Sequence, residues 1–124
     1  MVSDKGSRWI KRSERCAIYD RDGWRCVYCG RKVKSGKGTN GCDPHTATLD
    51  HVTSRLLGGS DDASNLVTSC IDCNVAKSSL SVAAFVAKVA KTAEKRDALA
   101  VRIRVALKTE LDRVRGRKLA RWGL

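Results

Sequence analysis

Two cysteine pairs with the same spacing place the strongest constraint on what this chain can fold into. Cys26 and Cys29 have two residues between them, and so do Cys70 and Cys73. This spacing is typical of half of a tetrahedral structural zinc site, and four thiolates would complete the coordination of the ion. The pairs lie 40 residues apart, farther than in a simple zinc ribbon. The sequence therefore predicts a Zn²⁺ ion that joins two distant segments around an inserted element.

The remaining cysteines leave alternatives open. Cys42 and His45 also have two residues between them, and they could replace one pair or bind a second ion. Cys16 is most simply a buried helix residue. The N-terminus lacks the apolar region of a signal peptide, which favours reduced thiols and a metal over a disulfide scaffold. Six cysteines could nevertheless pair as disulfides in many ways.

Length and charge narrow the class of protein. A chain of 124 residues fits one small domain, or a small domain with an appendage. The hydrophobic core of such a small domain often needs further stabilisation by a metal ion or by disulfides. The net charge of +12 indicates a polyanionic partner. Residues 80–124 carry 12 basic and 4 acidic side chains, against 13 and 9 in residues 1–79. No apolar run is long enough to span a membrane, so we expect a cytoplasmic protein without membrane attachment.

A second group of polar residues lies between the cysteine pairs and beside the second one. Asp50 and Asn74 offer hard oxygen ligands, which suit Mg²⁺ or Mn²⁺. His51 offers a base that can accept a proton from water near neutral pH. Together with Asn65, these residues indicate a metal-dependent phosphodiesterase site.

Local patterns predict the elements that carry these residues. A short helix begins at Ser13 and ends near Gly23. A β-prone segment from Thr46 to Val52 forms a strand that carries the Asp-His pair. A glycine-containing loop leads to a returning strand that begins at Leu66. A short helix over residues 71–79 then presents the side-chain amide of Asn74.

Residues 80–124 have a helical pattern of apolar residues. The pattern predicts one long helix, or two helices broken near residues 95–97. The apolar residues form a stripe along the predicted helices, and this stripe must be covered either by residues 1–79 or by a second copy of the chain. Cover by a second copy would make the protein a homodimer. The stripe comprises Val82, Val86, Val89, Ala93, Leu99, Ile103, Leu107, Leu111 and Val114.

Residues 12–79 resemble the HNH endonuclease family. The resemblance rests on six elements that occur in the family's order. They are the upstream cysteine pair (Cys26, Cys29), the Asp-His dipeptide (Asp50, His51), the glycine pair (Gly58, Gly59), the Asn-Leu dipeptide (Asn65, Leu66), the second cysteine pair (Cys70, Cys73) and the Cys-Asn-x-x-Lys helix signature (Cys73, Asn74, Lys77). The third motif position is Asn74, where many members carry His. Ser54 stands where many members have Pro. Small proteins of this type are encoded by phages and bacteria.

The resemblance implies a fold and a division of labour. The fold is α+β: a small ββα-metal (His-Me finger) module with a four-cysteine zinc site over residues 1–79, followed by a basic helical tail over residues 80–124. By the family's pattern, His51 is the general base, Asp50 and Asn74 hold one Mg²⁺ or Mn²⁺ ion, and Asn65 fixes the loop that orients His51. The expected activity is cleavage of DNA phosphodiester bonds.

We expect two sets of basic residues to contact DNA. Arg55 and Lys77 belong to the module, and the tail contributes Arg102, Arg104, Lys108, Arg113, Arg115, Arg117 and Lys118. Two alternatives remain at this point. One is a non-catalytic zinc-knuckle DNA-binding protein that keeps the scaffold. The other is a dimerising interaction module in which the nuclease domain is vestigial.

Overall fold

The described residues form a mixed α+β fold, as the sequence predicted. The computed structural model describes residues 10–36 and 43–122. Two short 3₁₀ turns, Arg55–Leu57 and Ala63–Asn65, lie in the loop between the strands. In the described part of the chain the elements are α1 (Arg12–Arg21), β1 (Ala47–His51), β2 (Leu66–Cys70), α2 (Ile71–Lys77), α3 (Val82–Val89), α4 (Ala93–Lys108) and α5 (Arg113–Arg121).

A β-hairpin followed directly by a helix forms the centre of the molecule. Strands β1 and β2 are antiparallel, with Ala47 opposite Cys70 and His51 opposite Leu66. Strand β1 is one residue shorter at each end than the predicted segment. Helix α2 begins where β2 ends, and the Cys70 sulfur accepts a hydrogen bond from the backbone N–H of Cys73 at its first turn. This ββα unit brings the second cysteine pair beside the hairpin.

The module and the tail share one hydrophobic core. Phe85 on α3 and Leu99 and Ile103 on α4 are buried against the hairpin and the first cysteine pair. The ring of Phe85 packs edge-on against Tyr28, with the ring centroids 5.0 Å apart. The module therefore covers the central part of the apolar stripe within one chain, and no second copy is needed to bury it. A tail so attached is part of the folded domain.

The prediction of one or two tail helices is wrong, because the described tail has three. The first break is at residues 90–92, before the predicted position near Lys95. Thr92 has an extended backbone, and its hydroxyl accepts the backbone N–H of Lys95, which starts α4. Asp112 caps α5 in the same way through the N–H of Arg115. Side-chain caps of this kind start a new helix at each of these breaks, and no Gly or Pro is needed there.

Helix α5 returns to pack against α1. A Cβ atom at Gly116 would lie 2.6 Å from the carbonyl oxygen of Ser13 and 2.7 Å from the Cβ of Ala17, so only glycine permits this close approach. Ion pairs join Arg113 to Glu14 at 3.0 Å and Arg115 to Asp20 at 2.9 Å. None of the helices that the structure describes is long and apolar enough to span a membrane.

Candidate active site and metal centre

The two cysteine pairs converge as the spacing predicted. The four sulfur atoms of Cys26, Cys29, Cys70 and Cys73 all lie within 4.8 Å of one another. The sulfurs of Cys29 and Cys70 are 3.8 Å apart. A tetrahedral zinc site with Zn–S bonds of about 2.3 Å requires sulfur atoms about 3.8 Å apart. The cluster therefore has the donor set and the dimensions of a structural zinc site.

The electrostatics of the cluster favour a thiolate at Cys26, whereas burial raises the pKa of Cys29 and the hydrogen bond to Cys26 raises that of Cys73. A hydrogen bond from Cys73 lowers the pKa of the Cys26 thiol to about 4, although burial opposes the shift. The thiolate is the form that binds zinc. Cys26, Cys29, Cys70 and Cys73 are free thiols in the described structure, which argues against disulfides among these four. Cys42, the other half of the alternative Cys42–His45 pair, lies outside the described residues, while His45 is exposed and bonded to Asp43.

The loop between β1 and β2 is held by the side chain of Asn65. Its oxygen accepts the backbone N–H of Thr53 at 2.9 Å, and its amide nitrogen donates to the carbonyl oxygens of Thr53 and Ser60. A Cβ atom at Gly59 would lie 1.7 Å from the Thr53 oxygen, so this position requires glycine. One amide thus closes both ends of the loop that follows His51.

His51 lies at the end of β1 with one ring nitrogen already paired. Its Nε2 atom is 2.7 Å from Oδ1 of Asp61, in the same loop. The imidazole keeps 15% of its surface exposed and Asp61 keeps 36%. The side chain of Arg55 is about half exposed, with its Nε atom 3.9 Å from the same oxygen of Asp61. The sequence analysis singled out His51 and Arg55 but not Asp61.

Asp50 belongs to a buried polar network. Its Oδ2 atom accepts a hydrogen bond of 2.5 Å from the Tyr28 hydroxyl and lies 3.2 Å from Nζ of Lys77. Lys77 also donates to the carbonyl oxygen of His51 at 2.8 Å. Burial raises the pKa of Asp50, and Lys77 and Tyr28 oppose that shift. Burial, and the carboxylate of Asp50 after it, also raise the pKa of Tyr28.

The prediction that Lys77 contacts phosphate is wrong for this structure. Its side chain is fully buried, with no exposed surface. The helix signature fixed the position of Lys77 on α2, but residues on β1 decide where its ammonium group lies. Lys77 neutralises Asp50 and ties α2 to the end of β1. Its role is therefore internal.

Asn74 joins α2 to the same strand. Its amide nitrogen donates to Oγ1 of Thr48 at 2.9 Å and to the carbonyl oxygen of Leu49 at 3.3 Å. Thr48 and Asp50 lie on one face of β1, because alternate residues of a strand share a face. Asn74 therefore packs beside the face that carries Asp50. With its nitrogen anchored, its oxygen has no hydrogen-bond partner among the described residues.

The donor set of this face fits a divalent ion. Asp50 and Asn74 each keep one oxygen with no hydrogen bond from the described residues, and both are the hard ligands that Mg²⁺ or Mn²⁺ prefers. Asp50 is only 5% exposed, and Lys77 already compensates its charge. An ion bound here would therefore share the carboxylate with the ammonium group.

The basic residues of the tail divide into three groups. Arg102 is exposed but is hydrogen-bonded to the module, because its guanidinium donates to the carbonyl oxygens of Val27 and Tyr28 in the first cysteine loop. Arg113 and Arg115 are exposed but are paired with carboxylates of α1. The remaining predicted DNA contacts are exposed and have no ion pair with any described residue: Arg104, Lys108, Arg117 and Lys118.

Comparison with known proteins identifies the class of the central region. Residues 26–80 match the family model described as HNH endonuclease. The matched segment contains both cysteine pairs, the hairpin and α2, so the similarity to this family covers the ββα unit and the cysteine cluster. No curated protein and no solved structure matches the chain. The family suggests a nuclease with DNA as its substrate.

Proposed function

We propose that this protein is an endonuclease that hydrolyses DNA phosphodiester bonds with the help of a divalent ion. The observation that carries the proposal is the position of His51. It ends β1 inside the segment that matches the HNH family, at the start of a loop closed by Asn65, and it directly follows Asp50 on the strand to which Asn74 is hydrogen-bonded. The net charge of +12 supports a nucleic acid as the substrate.

The chain's own groups divide the work as follows. His51 accepts the proton of the attacking water, which removes the need to generate free hydroxide. Asn65 holds the loop geometry that orients the imidazole. Asp50 and Asn74 would hold the divalent ion, which when bound stabilises negative charge on the phosphate and the leaving oxygen.

Phosphate binding falls to the exposed basic side chains. Arg55 lies in the loop beside His51, so its guanidinium can hold a phosphate oxygen near the reacting bond. Arg104, Lys108, Arg117 and Lys118 are exposed on α4 and α5, and they supply contacts that do not depend on sequence.

A plasmid assay tests this function. Supercoiled plasmid is incubated with zinc-loaded protein in Mg²⁺, in Mn²⁺ and after EDTA treatment, and nicked and linear products are resolved. We expect cleavage with either ion, loss with EDTA, and recovery when Mg²⁺ alone is restored. Recovery without added zinc separates the catalytic ion from the structural one. A protein that shifts DNA on a gel but never cuts it would support the alternative, a zinc-knuckle DNA-binding protein.

A further inference from the structure

The contact between His51 and Asp61 constrains which nitrogen of the imidazole carries the proton. Nε2 of His51 and Oδ1 of Asp61 are 2.7 Å apart, a short hydrogen bond. An ionised carboxylate only accepts hydrogen bonds, so a neutral imidazole in this contact must carry its proton on Nε2. The other nitrogen, Nδ1, then has a free lone pair.

That free nitrogen is available for a water molecule. Within the described residues, the only hydrogen bond of the His51 ring is the one to Asp61. The imidazole is partly exposed, so solvent can reach it. A base whose second nitrogen is bonded to a carboxylate is held both in one tautomer and in one ring orientation.

The loop that supplies Asp61 is built to hold it in place. Asn65 donates to the carbonyl oxygen of Ser60, the residue before Asp61. Arg55 approaches the same carboxylate oxygen at 3.9 Å, on the exposed side of the pair. Neighbouring Asp62 is exposed and its side chain has no partner among the described residues. Only one of these two adjacent acids meets the imidazole.

We propose that Asp61 is a positioning residue for His51. It accepts the Nε2 proton, fixes the Nε2–H tautomer and leaves Nδ1 to take the proton from water. This inference rests on the proposed nuclease function, and it adds to that function a residue that acts through the base. As the water attacks, its proton moves to Nδ1, and Asp61 stabilises the imidazolium that forms.

Kinetics of variants test the positioning role. Asp61→Ala should lower kcat for plasmid cleavage by about 10- to 100-fold, the usual effect of losing such an orienting partner, with little change in KM. Asp61→Glu should recover part of the rate, and Asp62→Ala, the matched control, should leave it unchanged. On a His51→Ala background, Asp61→Ala should have no further effect, because the two residues act as a unit. Additive losses would overturn the proposal.

Nitrogen-15 NMR of the imidazole provides a readout that does not depend on cleavage. The chain has two histidines, so His45→Gln leaves His51 as the only signal. At mildly alkaline pH we expect the Nε2–H tautomer in this protein and a mixture of tautomers when Asp61→Ala is added. An Nδ1–H tautomer, or an unchanged spectrum in a folded Asp61→Ala variant, would overturn the proposal. If that variant does not fold, the tautomer with Asp61 present decides. Absence of cleavage together with the Nε2–H tautomer would refute the nuclease function but not the contact.

Discussion

Replacing Lys77 by Met should strongly destabilise the fold, although sequence reasoning placed this lysine at a DNA surface. The side chain of methionine fills similar space but removes the charge, and Asp50 is then left buried at 5% exposure without its counter-ion. At 3.2 Å and an effective dielectric constant of about 20, the attraction between the two charges is about 5 kcal/mol. Breaking a buried pair by removing one partner costs about 3–5 kcal/mol. For a chain of this length, we expect the Tm to fall by about 10–20 °C.

Unfolding followed by circular dichroism in zinc-replete buffer measures this effect. The matched control is Lys88→Met, because Lys88 is exposed and its ammonium makes only a 3.4 Å contact with the carbonyl oxygen of Ala76. Its effect should stay within about 0.5 kcal/mol. Adding Asp50→Asn to Lys77→Met removes the unpaired charge and should restore part of the stability.

The pH dependence of the Lys77→Met deficit has a definite sign. Burial raises the pKa of Asp50 above its usual 3.8, and Lys77 opposes that shift. Without Lys77 the folded-state pKa rises further, so the deficit should be smallest near pH 3.8 and should grow as pH rises. If Lys77→Met were as stable as Lys88→Met at neutral pH, the ammonium group would face solvent. Lys77 would then again be a candidate for contact with a DNA phosphate.

Three further predictions concern the zinc site, the loop and the tail. Cys73→Ser should lose the zinc, about one ion per chain by elemental analysis, and unfold, because metal binding supplies folding energy in small domains; zinc retained by a folded variant would contradict this. Asn65→Ala removes three loop hydrogen bonds, so it should cost about 1–3 kcal/mol in urea unfolding and slow cleavage; native kinetics would show that the loop does not orient the base. Arg117→Gln with Lys118→Gln should flatten the slope of log affinity against log salt by about 2, measured by fluorescence anisotropy; an unchanged slope would remove α5 from the DNA interface.

The zinc cluster and the hairpin could be predicted from the sequence because their signals are local. Two Cys-x-x-Cys pairs can complete one tetrahedral site only if the chain brings them together, and the described fold does so. The β-prone run before the loop defined β1 to within one residue at each end. In both cases, the spacing of residues along the chain carries the geometry.

The roles of individual charged side chains depend on tertiary contacts, so they could not be predicted from the spacing of residues along the chain. Nothing in the helix signature shows that Lys77 turns inward to Asp50. An acidic residue in the loop between His51 and Asn65 was visible, but Asp61 and Asp62 carry the same signal, and only the fold separates them. The same holds for the tail, where the burial of Leu99 makes truncation an unsuitable test of DNA binding.

The rate of the chemical step without the proposed base tests the central claim most directly. The measurement compares single-turnover cleavage of saturating plasmid by His51→Ala and by His45→Ala. His45 is exposed, and its ring contacts Asp43 among the described residues, so it is the matched control. We predict that His51→Ala cleaves about 10²- to 10⁴-fold more slowly while keeping its zinc content and DNA affinity, and that His45→Ala cleaves at the native rate. A native rate for folded His51→Ala would contradict the assignment of the base and, with it, the proposed mechanism.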